Sequence, residues 1–207
     1  VPVHISHYVQ PPAEFSEGDQ VEGIVRFRYI MYVGRYDPYK GIRELMRAFA
    51  DAQTDIAPAV DQLVIAGQED DRYPVREYAR DLGIEDNIVY TGYVSESQLS
   101  WLYSNAHAFV FPTYYEGFGL PPLDAMAHDT PVACSNRASV PEVTGEAALH
   151  FDPGDPEDIT DALKRISLDA ALRNQLIEKG RQRIHEFSWE LTAKKTVDVY
   201  RTALTRV

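Results

Sequence analysis

Six short apolar runs, set apart by stretches of helical periodicity or by turns, constrain this chain more than any other feature. They are Tyr29-Ile30-Met31-Tyr32-Val33, Leu63-Val64-Ile65-Ala66, Ile88-Val89-Tyr90, Ala108-Phe109-Val110-Phe111, Pro131-Val132-Ala133-Cys134 and Ala147-Ala148-Leu149-His150-Phe151. Strands buried on both faces look like this, and such strands belong to parallel sheets covered by helices. Ile42, Leu45, Met46, Phe49 and Ala50 fall at the i, i+3, i+4, i+7, i+8 spacing of one helix face. A helix from Val75 to Leu82 is expected to stop at Gly83. Ser95 and Gln98 have the spacing of a capping box, opening a helix whose stripe is Leu99, Leu102, Tyr103 and Ala106. Leu120 to about Ala127 is read as a helix ending at His128-Asp129, where Asp129 is expected to take the left-handed conformation. Asp155-Pro156-Glu157-Asp158 combines an N-cap, a proline at the first helical position and two first-turn acids, with Ile159, Ala162, Leu163 and Ile166 facing the core. Another helix spans about Asp169 to Glu186, and the last follows Ser188 with Ala193, Val197, Tyr200 and Leu204 on one side. The fold expected is α/β: a doubly wound, parallel, six-stranded Rossmann-like sheet with a terminal helix.

Residues 1–25 read as an interdomain linker, with Pro11-Pro12, scattered acids and one short strand suggested by Val1, Val3 and Ile5. Residues 26–187 form the single domain, and 188–207 the terminal helix. The opening Val1-Pro2-Val3-His4 has neither an initiator methionine nor a signal-peptide layout, so the chain is expected to start partway through a larger protein.

Charge and cysteine usage exclude several functions. Lys and Arg number 20 against 32 Asp and Glu, a net charge of −12 that argues against nucleic-acid binding and against docking on anionic lipid. The single Cys134 has no internal disulfide partner and leans toward a cytoplasmic location. No apolar run reaches the length of a membrane helix. The histidines lack metal-ligand spacing, and Glu69-Asp70-Asp71 reads as a solvated acidic loop. No nucleophile elbow, P-loop or dinucleotide-binding glycine fingerprint is present.

In an open parallel sheet, ligands bind beyond the carboxyl ends of the strands. Gly34, Arg35 and Lys40 follow the first run, Gly67 and Gln68 the second, Gly92-Tyr93-Val94 the third, and Glu116-Gly117-Phe118-Gly119-Leu120 the fourth, with Asp124 in the helix after it. Taken singly, Arg35 and Lys40 read as solvated charges, Glu116 as a surface acid and the glycines as a tight turn. Taken jointly on one edge, they supply what a diphosphate needs, two cations and the amides of a helix start. Glu116 and Asp124 add acceptors for vicinal hydroxyls, suiting a hexose and a ribose respectively.

These residues resemble the C-terminal, donor-binding domain of retaining GT-B glycosyltransferases (glycosyltransferase family 4, group 1) over about Tyr29 to Leu204. The most specific match is Glu116-Gly117-Phe118-Gly119-Leu120 followed by Asp124, the E-x7-E motif with Asp as its second acid. Gly34-Arg35 with Lys40-Gly41, Tyr90-Thr91-Gly92, Ser139-Val140-Pro141-Glu142-Val143 and Phe187-Ser188-Trp189-Glu190 fit in the expected order. Asp129 stands where the family usually has glycine, and Asp124 is one methylene shorter than the usual Glu.

The resemblance implies catalytic roles for Arg35 and Lys40 on the diphosphate and for Glu116 on the donor sugar. It places the Phe118 and Gly119 amides on the sugar, the Leu120 amide on phosphate, Asp124 on the ribose, and Tyr93 and Val94 near the base. It further implies transfer with retention, no catalytic metal and no cofactor beyond the nucleotide-sugar co-substrate. GDP-mannose is favoured and UDP-hexose comes next. The partner implied is an N-terminal acceptor-binding domain, whose membrane-facing side would set a cytoplasmic-face location. The isolated chain is then expected to be inactive. A non-catalytic nucleotide-sugar-binding subunit and a GT-B sugar-nucleotide epimerase remain alternatives.

Overall fold

A computed structural model describes residues 16–205. The short strand expected at Val1 to Ile5 and most of the linker lie outside the described residues. All six expected strands form: β1 (Tyr29–Val33), β2 (Gln62–Ala66), β3 (Ile88–Gly92), β4 (Ala108–Phe111), β5 (Val132–Ser135) and β6 (Ala148–Phe151). They make one sheet in the order β3-β2-β1-β4-β5-β6, every neighbouring pair parallel. β1, β2, β4 and β5 are buried almost throughout. The helices on both faces bury them, which is why their sequences do not alternate.

Among the described residues there are eight α-helices: α1 (Ile42–Ile56), α2 (Val75–Leu82), α3 (Glu96–Asn105), α4 (Leu120–Ala127), α5 (Val140–Thr144), α6 (Pro156–Leu168), α7 (Ala170–Ile184) and α8 (Trp189–Leu204). α1 packs against α2 and α6, while α4 packs against α3, α5 and α7. Local chemistry ends and starts them as expected. Gly83 caps α2 at φ 70, Ser95 and Gln98 form the capping box of α3, and the Asp155 carboxylate accepts from the amides of Glu157 and Asp158. Asp129 stands at φ 57 after α4, where its carboxylate pairs with Arg181.

Two features depart from the expected pattern. The link between β5 and β6 contains α5, five residues opened by Ser139 and carrying Pro141, too short to show a stripe. α8 has no buried residue, so its apolar side faces no core among the described residues. Before β1, Val21 and Ile24 pack on the core, and the Val25 amide donates to Gln62 Oε1 at 2.8 Å.

The strand order reverses between β1 and β4, which extend the sheet in opposite directions. That switch point opens a crevice beyond the carboxyl ends of β1 and β4. The loops that line it are Gly34–Gly41 and Pro112–Gly119.

Candidate functional site

The crevice is held together by contacts between those two loops. After β1, Pro38–Lys40 makes one 3-10 turn that ends at Gly41, φ 69. A Cβ at Gly41 would sit 2.1 Å from the Pro112 carbonyl oxygen, so both the backbone conformation and the close approach of the β4 loop require glycine. The Tyr114 amide donates to the Tyr39 carbonyl at 2.8 Å, and the buried Thr113 hydroxyl lies 3.3 Å from the same carbonyl. These bonds place consecutive residues of each loop, Tyr39-Lys40 and Tyr115-Glu116, opposite one another.

At the centre, Lys40 Nζ lies 2.6 Å from Glu116 Oε1, with the two side chains 14% and 15% exposed. Lys40 also sits 6.0 Å from the centre of the Phe111 ring. Such a shielded pair is set by loops from different strands, 76 residues apart in the chain. Glu116 bears on its surroundings too: burial first, and this carboxylate next, hold the Tyr32 phenol well above its usual range. The Tyr32 hydroxyl donates to the Arg35 carbonyl at 3.1 Å, which ties the start of the β1 loop to the site.

α4 begins beside the pair. Gly119, at φ 96, is its N-cap and offers no side-chain cap, and Pro121 and Pro122 follow Leu120 in the first turn. Among the described residues, no acceptor takes the amides of Gly117, Gly119 or Leu120. Unused donors at a helix start, reinforced by the helix dipole, favour an anion. Gly117 is exposed, and a Cβ there would touch nothing within 4 Å. Neither packing nor a positive φ requires glycine at that position. Phe118 is braced by an edge-on contact with Phe187, ring centres 5.8 Å apart.

The remaining expected residues divide. Gly34 directly follows β1, and its amide is taken by the Ala66 carbonyl at 3.0 Å. Arg35 does not join Lys40 and Glu116. Its side chain is 79% exposed and donates twice to Asp37 Oδ2, at 2.9 and 2.7 Å. Tyr93 is 92% exposed beyond the edge strand β3, while Val94 packs on the core. Leu120 is exposed at the head of α4. Asp124 lies on the fifth residue of α4, mostly buried, with no cation within 4 Å among the described residues. Burial pushes its carboxyl up to about 6. His128 Nδ1 donates to the Asp124 carbonyl at 2.7 Å, and Ser100 Oγ is 2.8 Å from Nε2 of the same ring. That ring stacks on Tyr103 at 5.2 Å, so the shell around Asp124 is tightly built.

One contributor was not assigned a role from sequence. Ser139 Oγ lies 2.9 Å from the carbonyl oxygens of both Glu116 and Phe118. A serine at a helix start was the available signal, but it points to capping rather than to a distant loop. Among the described residues no three His, Cys, Asp or Glu are grouped to hold a metal ion. No helix among them is long and apolar enough to cross a membrane.

This crevice can be set beside known proteins. The family model described as glycosyl transferases group 1 matches residues 17–183. O-antigen chain mannosyltransferase B of Escherichia coli is 36% identical over 174 residues, 84% of this chain and 45% of that protein. MMP alpha-(1->4)-mannosyltransferase of Mycolicibacterium hassiacum is 33% identical over 190 residues, 90% of this chain and 46% of that protein. Among solved structures, sucrose-phosphate synthase from Thermosynechococcus elongatus superimposes with a TM-score of 0.73 at 30% identity, over 86% of this chain and 46% of the other. The chain therefore spans less than half the length of the curated relatives it matches. Its sheet is a Rossmann-like half of the GT-B architecture, and the chain belongs to the group 1 glycosyl transferases.

Proposed function

We propose that this chain is the donor-binding half of a hexosyltransferase that holds a nucleoside-diphosphate sugar in the β1–β4 crevice. GDP-mannose is the favoured donor and a UDP-hexose the next, because relatives at 36% and 33% identity are named mannosyltransferases. One observation carries the reading: the shielded Lys40–Glu116 pair borders the unused Gly117, Gly119 and Leu120 amides at the head of α4. Lys40 and the Leu120 amide at the helix start form the diphosphate cradle, while Glu116 and the Gly117 and Gly119 amides hold the sugar.

The chemistry follows from where charge develops. Breaking the bond between the anomeric carbon and the diphosphate oxygen leaves negative charge on the leaving group. Lys40 Nζ and the α4 amides meet that charge in a water-poor crevice, where preformed donors are most effective. Arg35 joins by leaving Asp37, a move that its exposure permits. Glu116 orients the hexose, Asp124 the ribose, and Tyr93 and Val94 flank the base. Transfer proceeds with retention and without a catalytic metal, to an acceptor held by an N-terminal domain that the exposed stripe of α8 helps to engage.

Calorimetric titration with GDP, UDP, ADP and their sugar conjugates tests this reading. Binding of a guanine or uracil conjugate, weakened about tenfold or more by Lys40→Ala, is the expected result. No binding at millimolar ligand, with Arg35→Ala without effect, would overturn the site. Transfer to an acceptor should appear only when the N-terminal half is supplied. Robust transfer by these 207 residues alone would refute the two-half reading.

A further inference from the structure

Ser139-Val140-Pro141-Glu142-Val143 lies on the turn from β5 into α5, away from the loops of the crevice in sequence. A serine just before a helix ordinarily turns its hydroxyl onto an amide of that helix. Ser139 makes no such bond. Its hydroxyl is carried across to the β4 loop instead, 2.9 Å from the carbonyls of Glu116 and Phe118. The residue before it, Ala138, is held at φ 52, a left-handed conformation that alanine rarely adopts. Such strain persists only where the surroundings over-determine it.

A trans peptide points its carbonyl and its N–H in opposite directions within one plane. Drawing the Glu116 carbonyl toward Ser139 therefore turns the Gly117 N–H the other way. Drawing the Phe118 carbonyl does the same for Gly119. Those are two of the three amides without an acceptor among the described residues.

We propose that Ser139 is a positioning residue for the donor: its hydroxyl, set by the strained turn at Ala138, aims the Gly117 and Gly119 amides at the hexose. This rests on the nucleotide-sugar reading above. Ser139 bonds neither Lys40 nor Leu120, and it meets Glu116 at the backbone carbonyl rather than at the carboxylate that pairs with Lys40, so losing the hydroxyl acts mainly on the sugar and only weakly on the diphosphate.

The test compares GDP with GDP-mannose, and UDP with UDP-glucose, on the wild-type chain, Ser139→Ala and Ser139→Thr. Calorimetry gives the affinities, and an unliganded melting curve checks that each variant is folded. In Ser139→Ala the ratio of sugar-conjugate to nucleotide affinity should fall about tenfold, the worth of one or two lost orienting bonds. Nucleotide affinity should stay within about twofold, and Ser139→Thr, which keeps the hydroxyl, should restore the ratio. An unchanged ratio in Ser139→Ala overturns the clamp while the nucleotide-sugar reading stands. So does an equal loss for nucleotide and conjugate, or a failure of threonine to rescue. A wild-type chain that binds neither nucleotides nor conjugates removes the nucleotide-sugar reading, and the clamp with it.

Discussion

Lys40 and Glu116 each need the other, because a lone charge at 14% or 15% exposure is poorly solvated. Replacing either by alanine should destabilise the chain by about 3 kcal/mol, whereas the double replacement should cost clearly less than the sum. Urea unfolding of the four species measures this, and strict additivity would mean that the pair is not coupled. Asp124 gives a second residue-scale expectation. Its carboxyl is pushed up to about 6 by burial, so the folded state holds a proton that the unfolded chain has released. Its contribution to stability is therefore greatest below the ordinary carboxylate value near 3.8, declines as pH rises, and levels off above about 6. Asp124→Asn should remove that decline and raise stability at pH 7 by about 2 kcal/mol relative to wild type. Melting curves from pH 4 to 8 decide it; parallel profiles for the two proteins would refute it. The E-x7-E spacing marked Glu116 and Asp124 in the sequence. The split between Arg35 and Lys40 was not legible there. Asp37, two residues on, captures Arg35, and the Pro38–Lys40 turn brings Lys40 against Phe111.

At the scale of elements, sequence and structure agree best where the determining interaction is local. The α3 capping box, the Gly83 stop and the Asp155 cap each close within a few residues, so composition and spacing suffice to place them. α5 escaped because five residues show no periodicity, and its serine serves another loop. The junction of the β1 and β4 loops tests the close approach directly. Gly41→Ala places a methyl 2.1 Å from a backbone oxygen at φ 69, where no flexible side chain can yield. The expected loss is about 3 kcal/mol or more, with nucleotide binding abolished at once because Lys40 adjoins it. An alanine variant with wild-type stability and binding would show that the two loops separate freely.

For the whole molecule, the buried apolar side chains are concentrated in the sheet and in α1, α3, α4 and α6, while α8 adds none. Deleting residues 192–207 should therefore change unfolding free energy by no more than about 1 kcal/mol. In the intact chain, α8 amides should exchange with solvent far faster than those of β1. Slow exchange in α8 would point to a partner surface already engaged. The sequence by itself determined that strands would be parallel and buried, where helices start and stop, and which loop carries the acidic motif. Those properties follow from periodicity and caps, which act over a few residues. Only the tertiary structure decided that β1 and β4 lie side by side at the switch point, with Lys40 against Glu116, Arg35 turned away and Ser139 reaching back to the β4 loop. Strand order and loop contact depend on how all the helices share two faces of one sheet, and no local spacing encodes that sum.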